Sequence, residues 1–555
     1  MAPFPRPHRP FGSRSIAAPG AVTGALLALV LTACTPIQAL EPAPERRDVT
    51  SVPLDGRNIV DGGDLVMALS AEPDRLDPTT SSSLYTRYVM QTMCQKLYDI
   101  DADGAVVPQL ATQLPEVSAD GLTVDINLRT DALFADGTEF NAEAARTTLE
   151  RHLNLEGSTR KGELGPISGI TAVDDFTLRI SYETPFAPLT AALADRAGMM
   201  LSAAALEQSG EAFGDHPVCV GPFRFKERVP QTSISVERDP LYYDAGSVHL
   251  DTITYRIMTD ANIRAANLRS GDVQVADTIS PQDVDALVKE DGLGVLQVGS
   301  LGYQAMTVNI GNADGTGEPP GIIDTPLARQ TDIRRALSMS IDREALVNTV
   351  FNSWYEPACS PISPASPYSS ELSEDCVDFD PAAARALLED TGVQTPYPIS
   401  MQVTNSPDAL RYAQALQAAV AEGGFDLTIL PVEYSTLLDV QTRGDFAALQ
   451  LGWSGRIDPH GNMSNFLKTG GGNNYSGYSN PEVDRLLAEA AQTNDADARA
   501  ELYGRVVQQV HVDNPILYLY RVRSLTGYTA DVAGVATYPD GVVRLGHAAF
   551  VEEEG

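Results

Sequence analysis

Lysine is nearly missing from this 555-residue chain: Lys96, Lys161, Lys226, Lys289 and Lys468 are all there is, and arginine supplies the rest of the 39 basic residues. Acids outnumber bases by so much that the formal net charge is −35. A surface this acidic repels phosphate backbones and anionic headgroups, which speaks against nucleic acid as a partner and against membrane attachment through a basic patch. After the first 33 residues no run is long and apolar enough to cross a bilayer, which takes about 20 residues. Histidine is sparse as well. His216, His460 and His511 each have an acid within two residues, but no two histidines stand at ligand spacing, so no bound metal is expected.

Catalytic motifs are equally scarce. There is no G-x-S-x-G elbow, H-E-x-x-H helix, P-loop or Cys-x-x-Cys pair. Ser158-Thr159-Arg160-Lys161 matches S-x-x-K and Lys468-Thr469-Gly470 matches K-T-G, two elements of penicillin-interacting acyl transferases. That serine must open a helix so that the lysine lies one turn on, yet Gly157 and Gly162 flank the tetrad and S-D-N is missing. Neither a catalytic residue nor a cofactor is expected.

What is present begins at the N-terminus. Arg6, Arg9 and Arg14 precede an apolar stretch, Ala21 to Leu31, that ends in Leu31-Thr32-Ala33-Cys34. Basic, then apolar, then small residues is the order of an export signal. The last four residues resemble a bacterial lipobox, which implies cleavage of residues 1–33, acylation of Cys34 and residence on the extracytoplasmic face of the cell membrane. Residues 34–58, rich in Pro and charge, read as a flexible tether.

Outside the cytoplasm disulfides are permitted. Cys94, Cys219, Cys359 and Cys376 allow three connectivities. Cys359 and Cys376 bracket a Pro/Ser-rich loop with little core of its own, which favours pairing them and leaves Cys94 for Cys219. Four buried free thiols are the alternative.

The rest of the chain alternates strands with helices, the pattern of an α/β fold with more than one core. Asp64 to Ser70 is a short apolar strand, and Thr123 to Arg129 alternates Val124, Ile126 and Leu128 with polar residues. Asn141, Asp380-Pro381 and Asn480-Pro481 are helix starts: a capping side chain, in two cases followed by proline at the first helical position.

Three blocks then resemble one family, the large extracytoplasmic solute-binding proteins of peptide-type ABC importers (family 5, the dipeptide, oligopeptide and nickel class). Ser118 to Arg146 carries two Asp-Gly turns around an alternating strand. Val218 to Asp277 contains a GPF strand and an aromatic turn with Asp239-Pro240 and Tyr242-Tyr243. Ala448 to Leu467 with Asn473 to Leu487 is similar to the family's GW-x-x-D-x-x-DP segment and Tyr-x-NPE helix start.

The resemblance implies a two-lobed periplasmic-binding-protein-like fold, type II, of the large class with an extra domain. The first lobe would span 59–300, with the extra domain at about 91–212, the second 301–514, and residues 515–555 would return to the first. Hinges are expected near Ser300 and Pro515. Partners implied are a small solute, above all a peptide, and an ABC permease with its ATPase subunits; a monomer is expected. A non-peptide anionic solute, a metal complex or an extracellular hydrolase are the alternatives.

In peptide-binding members an aspartate three residues after the block-three tryptophan pairs with the peptide's α-amino group. Here Arg456 stands three residues after Trp453, where a guanidinium grips a carboxylate or pairs with an acid across the cleft. Asp458 is the nearest substitute acid. The resemblance further places Tyr303, Gln304 and Asn309, the serines Ser81, Ser82 and Ser83, and Asn474 with Tyr475 near the cleft.

Overall fold

The apolar run Asp64–Leu69 forms the middle strand of a seven-stranded sheet, paired in parallel with Thr252–Ile257 on one side and Val275–Ala276 on the other. A parallel strand with helices on both faces has no wet side, which is why Leu65, Met67, Ala68 and Leu69 are all buried instead of alternating. The structure is a computed structural model and describes residues 46–552. The expected export signal, the expected lipid site Cys34 and residues 35–45 of the expected tether lie outside the described residues.

From edge to edge this sheet runs Leu293–Gly299, Arg523–Thr529, Val275–Ala276, Asp64–Leu69, Thr252–Ile257, Ser233–Arg238 and Phe223–Val229. A six-stranded sheet runs Glu356–Pro357, Ile516–Arg521, Tyr303–Val308, Ala448–Trp453, Tyr397–Thr404 and Phe425–Val432. The chain passes from the first sheet to the second between Gly299 and Tyr303, and returns between Arg521 and Arg523. The return therefore lies at Val522, later than the expected Pro515. Pro515 marks another boundary: Asn514, at φ 46°, ends the helix Ala496–Asp513 in the left-handed region, and the strand Ile516–Arg521 then pairs with Tyr303–Val308 of the second sheet.

A smaller antiparallel sheet, Glu116–Val117, Thr123–Asn127, Thr177–Tyr182 and Ile167–Asp174, has its own core around Ile126, Leu149, Leu178 and Ile180. The turn between its first two strands uses Gly121 at φ 72°, and the turn ahead of the next helix, bridged by Leu133 and Glu139, uses Gly137 at φ 84°, the left-handed conformation that Asp-Gly pairs supply at low strain. The helix Ala142–Asn154 packs on this sheet, with the Asn141 side chain accepting the amide of Ala144. Asp380 and Asn480 cap Pro381–Asp390 and Pro481–Gln492 in the same way. The architecture is α/β and two-lobed, with the extra antiparallel domain in the first lobe.

Two further features bear on the expectations. Residues 46–58 are not a free tether: Val49 bridges Gln297, Val52 is buried and donates to the Val535 carbonyl, and Arg46 stacks on Trp354. The charge and proline of that segment hid Val49, whose backbone pairs with Gln297, and Val52, which is buried and hydrogen-bonded to Val535. The disulfides are Cys94–Cys219 and Cys359–Cys376, with Cα atoms 4.9 and 5.0 Å apart.

Candidate solute-binding cleft

Three strands point their carboxyl ends at one space. Ser70 follows Asp64–Leu69, Thr404 ends Tyr397–Thr404, Glu433 follows Phe425–Val432, and all three border a cavity of about 360 Å³ between the lobes. Open α/β sheets bind ligands in this place, beyond the strand carboxyl ends. Tyr85 of the first lobe and Tyr434 of the second meet edge-on across it with centroids 5.2 Å apart. Gln304 and Gln450 add polar lining, and Gln450 Nε2 donates to Gln304 Oε1 at 3.3 Å. Aromatic walls with few fixed polar groups are the usual make-up of a small-molecule site.

Arg456 lies beside a second, much smaller space of about 30 Å³, room for roughly two waters. Its guanidinium stacks on Trp453, 4.1 Å from the ring centroid, and its Nε lies 2.6 Å from Asp195 Oδ2 in the first lobe. Arg456 thus pairs through Nε with an acid of the other lobe. Asp195 also receives Arg87 Nε at 3.0 Å, and Arg87 Nη1 reaches Ser454 Oγ at 3.1 Å, back in the second lobe. Burial alone would push the Asp195 carboxyl up, but the Arg456 and Arg87 charges outweigh it and hold it well below the usual carboxylate range. Burial lowers Arg456 to about 10, against the pull of Asp195, so it stays cationic at neutral pH.

The loop carrying Arg456 is set by backbone contact. Gly455 sits at φ 88°, and a Cβ there would come within 2.4 Å of the Gly302 amide nitrogen in the first crossing between lobes. Asn462, absent from the sequence reading, ties this loop together: its Oδ1 accepts both Trp453 Nε1 at 3.0 Å and the Arg456 amide at 2.7 Å. Trp453 itself is a buried wall, packed on Phe466.

The other candidates divide by partner. Asp458 is occupied by Arg499, 2.7 Å away on its own lobe, and by the His460 amide, so it is no free acid for an ammonium. Tyr303 packs in the core on Tyr518 and Phe466. Asn309, one residue past the far end of its strand, donates to the Asn312 and Gly444 carbonyls, and Asn474 holds the turn to Tyr478. These are packing and turn groups. Ser81 and Ser82 bind Asp74, and Ser83 caps the helix Leu84–Met93. Tyr475 is half-buried against Phe466, its hydroxyl pushed up by burial and by the neighbouring Tyr434. Ser158 donates to the His152 carbonyl and precedes, without opening, the short helix Lys161–Leu164.

The model of the bacterial extracellular solute-binding proteins, family 5 (middle), matches residues 105–474, about two thirds of the chain. The chain belongs to this family. Among curated relatives, the glutathione-binding protein GsiB of Pectobacterium atrosepticum is 29% identical over 501 residues, covering 88% of this chain and 94% of the relative. Two solved structures share the fold: the Escherichia coli murein tripeptide binding protein MppA (TM-score 0.81, 22% identity, 89% of this chain and 100% of the other) and AgaA of A. tumefaciens R10 with agropinic acid (TM-score 0.79, 24% identity, 89% and 99%).

Two buried histidines also give this family 5 protein a response to acid. Burial lowers His152 to about 3, helped by the Arg160 charge, and lowers His460 to about 4. An unfolded histidine takes its proton near pH 6.5. Below that the unfolded chain holds more protons than the folded one, so stability falls as pH drops from about 6.5 to about 4 for His460 and to about 3 for His152, and is not recovered below. Urea unfolding midpoints at pH 7 and pH 5 are expected to show this loss, and His152→Gln to flatten it; equal midpoints for the native protein refute it.

Proposed function

We propose that this family 5 protein captures a compact peptide or peptide-like solute between its lobes and delivers it to an ABC permease and its ATPase subunits. The single observation that carries the reading is the cavity of about 360 Å³ walled by both lobes. Its volume is near the lower end of ligand pockets, about 300 to 1,000 Å³, which suits a dipeptide or tripeptide better than a long extended chain. The relatives named for glutathione and for a murein tripeptide support that size. The contacts we assign are Tyr85, Gln304, Tyr434 and Gln450, which line this cavity, and we propose Ser82, Ser83, Trp453, Arg456 and Tyr475 as further contacts outside that lining.

Because ligand bridges both lobes, affinity comes partly from stabilising the closed arrangement, the form the permease would recognise. In this reading Cys34 carries lipid and holds the protein, as a monomer, at the outer face of the membrane. The test is calorimetry with tripeptides on membrane-bound protein and on Cys34→Ala. The expected result is one-to-one binding, unchanged when Cys34→Ala moves the protein to the soluble fraction. Release of peptide fragments on incubation would overturn the receptor reading in favour of catalysis.

A further inference from the structure

Beside Asp195 the interior holds more positive charge than it uses. Arg196 is fully buried; its Nη1 donates to the Ser81 and Ser83 carbonyls at 2.9 and 3.2 Å, while Nε and Nη2 have no partner among the described residues. Arg456 Nη2 is likewise buried and without a partner. Arg160, by contrast, is fully engaged, bidentate on Glu163 at 2.8 Å and bound to Thr159 and the Ser81 carbonyl.

The surrounding network does not supply the missing acceptor. Arg87, Lys96, Arg160, Arg196, Arg456 and Arg544 share Asp99, Glu163, Asp195 and Asp540. The Asp74 carboxylate accepts from the Ser81 hydroxyl, the Ser82 amide and the Thr86 hydroxyl and makes no hydrogen bond to Arg196. A buried guanidinium edge with no acceptor forfeits its hydration and gains nothing for it, unless an anion arrives. Burial and the Arg160 and Arg456 charges push Arg196 well below the usual arginine range, the signature of a cation short of counter-charge.

We infer that Arg196 and Arg456 form an anion subsite, and that the captured solute is recognised by a free carboxylate and not by a free α-amine. The inference rests on the solute-binding reading above and narrows it. Both arginines lie where the lobes meet: Arg456 comes from the second, and Arg196 comes from the first and holds the carbonyls of the loop Ser81–Ser83. The Tyr434 and Tyr475 hydroxyls stand within range of the Arg196 charge. A carboxylate here accepts N–H bonds that are otherwise unmade, and draws the lobes together.

The experiment is native mass spectrometry of the purified full chain with a mixed tripeptide library in three forms: unmodified, N-acetylated, and fully amidated at every carboxylate. Glutarate and citrate serve as non-peptide carboxylates. Retention of the N-acetylated form, with loss of the amidated form by at least about tenfold in affinity, is expected for a charge-assisted contact. Arg196→Gln should abolish that difference, and its melting temperature reports whether it has folded; if it has not, the library alone decides. Retention of amidated but not acetylated peptides overturns the carboxylate subsite and leaves the peptide reading standing. Binding of glutarate or citrate with no tripeptide retained keeps the subsite and overturns the peptide reading. No retention of any carboxylate probe overturns the subsite, whose arginines would then be met by water only.

Discussion

Asp195→Ala should lower the unfolding free energy by about 3 to 5 kcal/mol, the loss typical when one partner of a buried ion pair is removed. Asp195 stands between Arg456 at 2.6 Å and Arg87 at 3.0 Å, with all three side chains under a tenth exposed. Without its carboxylate, Arg456 loses its only paired acid and Arg87 keeps just Asp540 at 3.3 Å, in a low-dielectric interior that already has unpartnered N–H groups. The measurement is the denaturant midpoint at unchanged slope. Asp195→Ala combined with Arg456→Met should recover part of the loss, because the second change removes one stranded charge. A double variant no better than additive would show that the two residues do not couple. The same pair joins the lobes, so the weakened variant should also open more readily.

Cutting the Cys94–Cys219 bridge should cost nearly as much. Its partners are 125 residues apart in sequence, against 17 for Cys359–Cys376. In the chain-entropy account, a loop of about 100 residues gives about 4.7 kcal/mol and a loop of about 15 residues about 3. Removing both cysteines of the first bridge is thus expected to destabilise by about 4 to 5 kcal/mol, and removing the second pair by about 3. Native surroundings favour the difference. Cys94 ends the helix Leu84–Met93 that carries Arg87, and two residues past Cys219 a Cβ at Gly221 would meet the Met93 carbonyl at 2.2 Å, so the backbones are in direct contact there. Equal losses from the two bridges would show that loop length is not what matters.

Much of the fold was legible locally. The caps at Asn141, Asp380 and Asn480, the Asp-Gly turns at Gly121 and Gly137, and the apolar strand Asp64–Leu69 each depend on a handful of neighbouring residues whose conformational preference is strong enough to survive in the folded state. Where local composition misled, tertiary pairing was the reason. The segment 46–58 looks polar and unstructured until Val49 and Val52 find Gln297 and Val535, and Pro515 looks like a crossing until Ile516–Arg521 finds the second sheet.

The cleft shows the same division more sharply. From sequence alone it follows that the chain is α/β, that it resembles the family 5 binders, and that Arg456 stands where an acid is the family pattern. What Arg456 does was decided only by the folded structure, which brings Asp195, Arg87 and Ser454 to it from far along the chain and assigns Asp458 to Arg499. The physical reason is range. A cap or a turn is a contest between conformations of a few adjacent residues, whereas the partner of a buried charge is whichever opposite group the closed lobes place within about 3 to 4 Å, at an energy set by burial. No spacing in the sequence encodes that distance, and Arg196, whose Nε and Nη2 have no partner among the described residues, carries no motif at all.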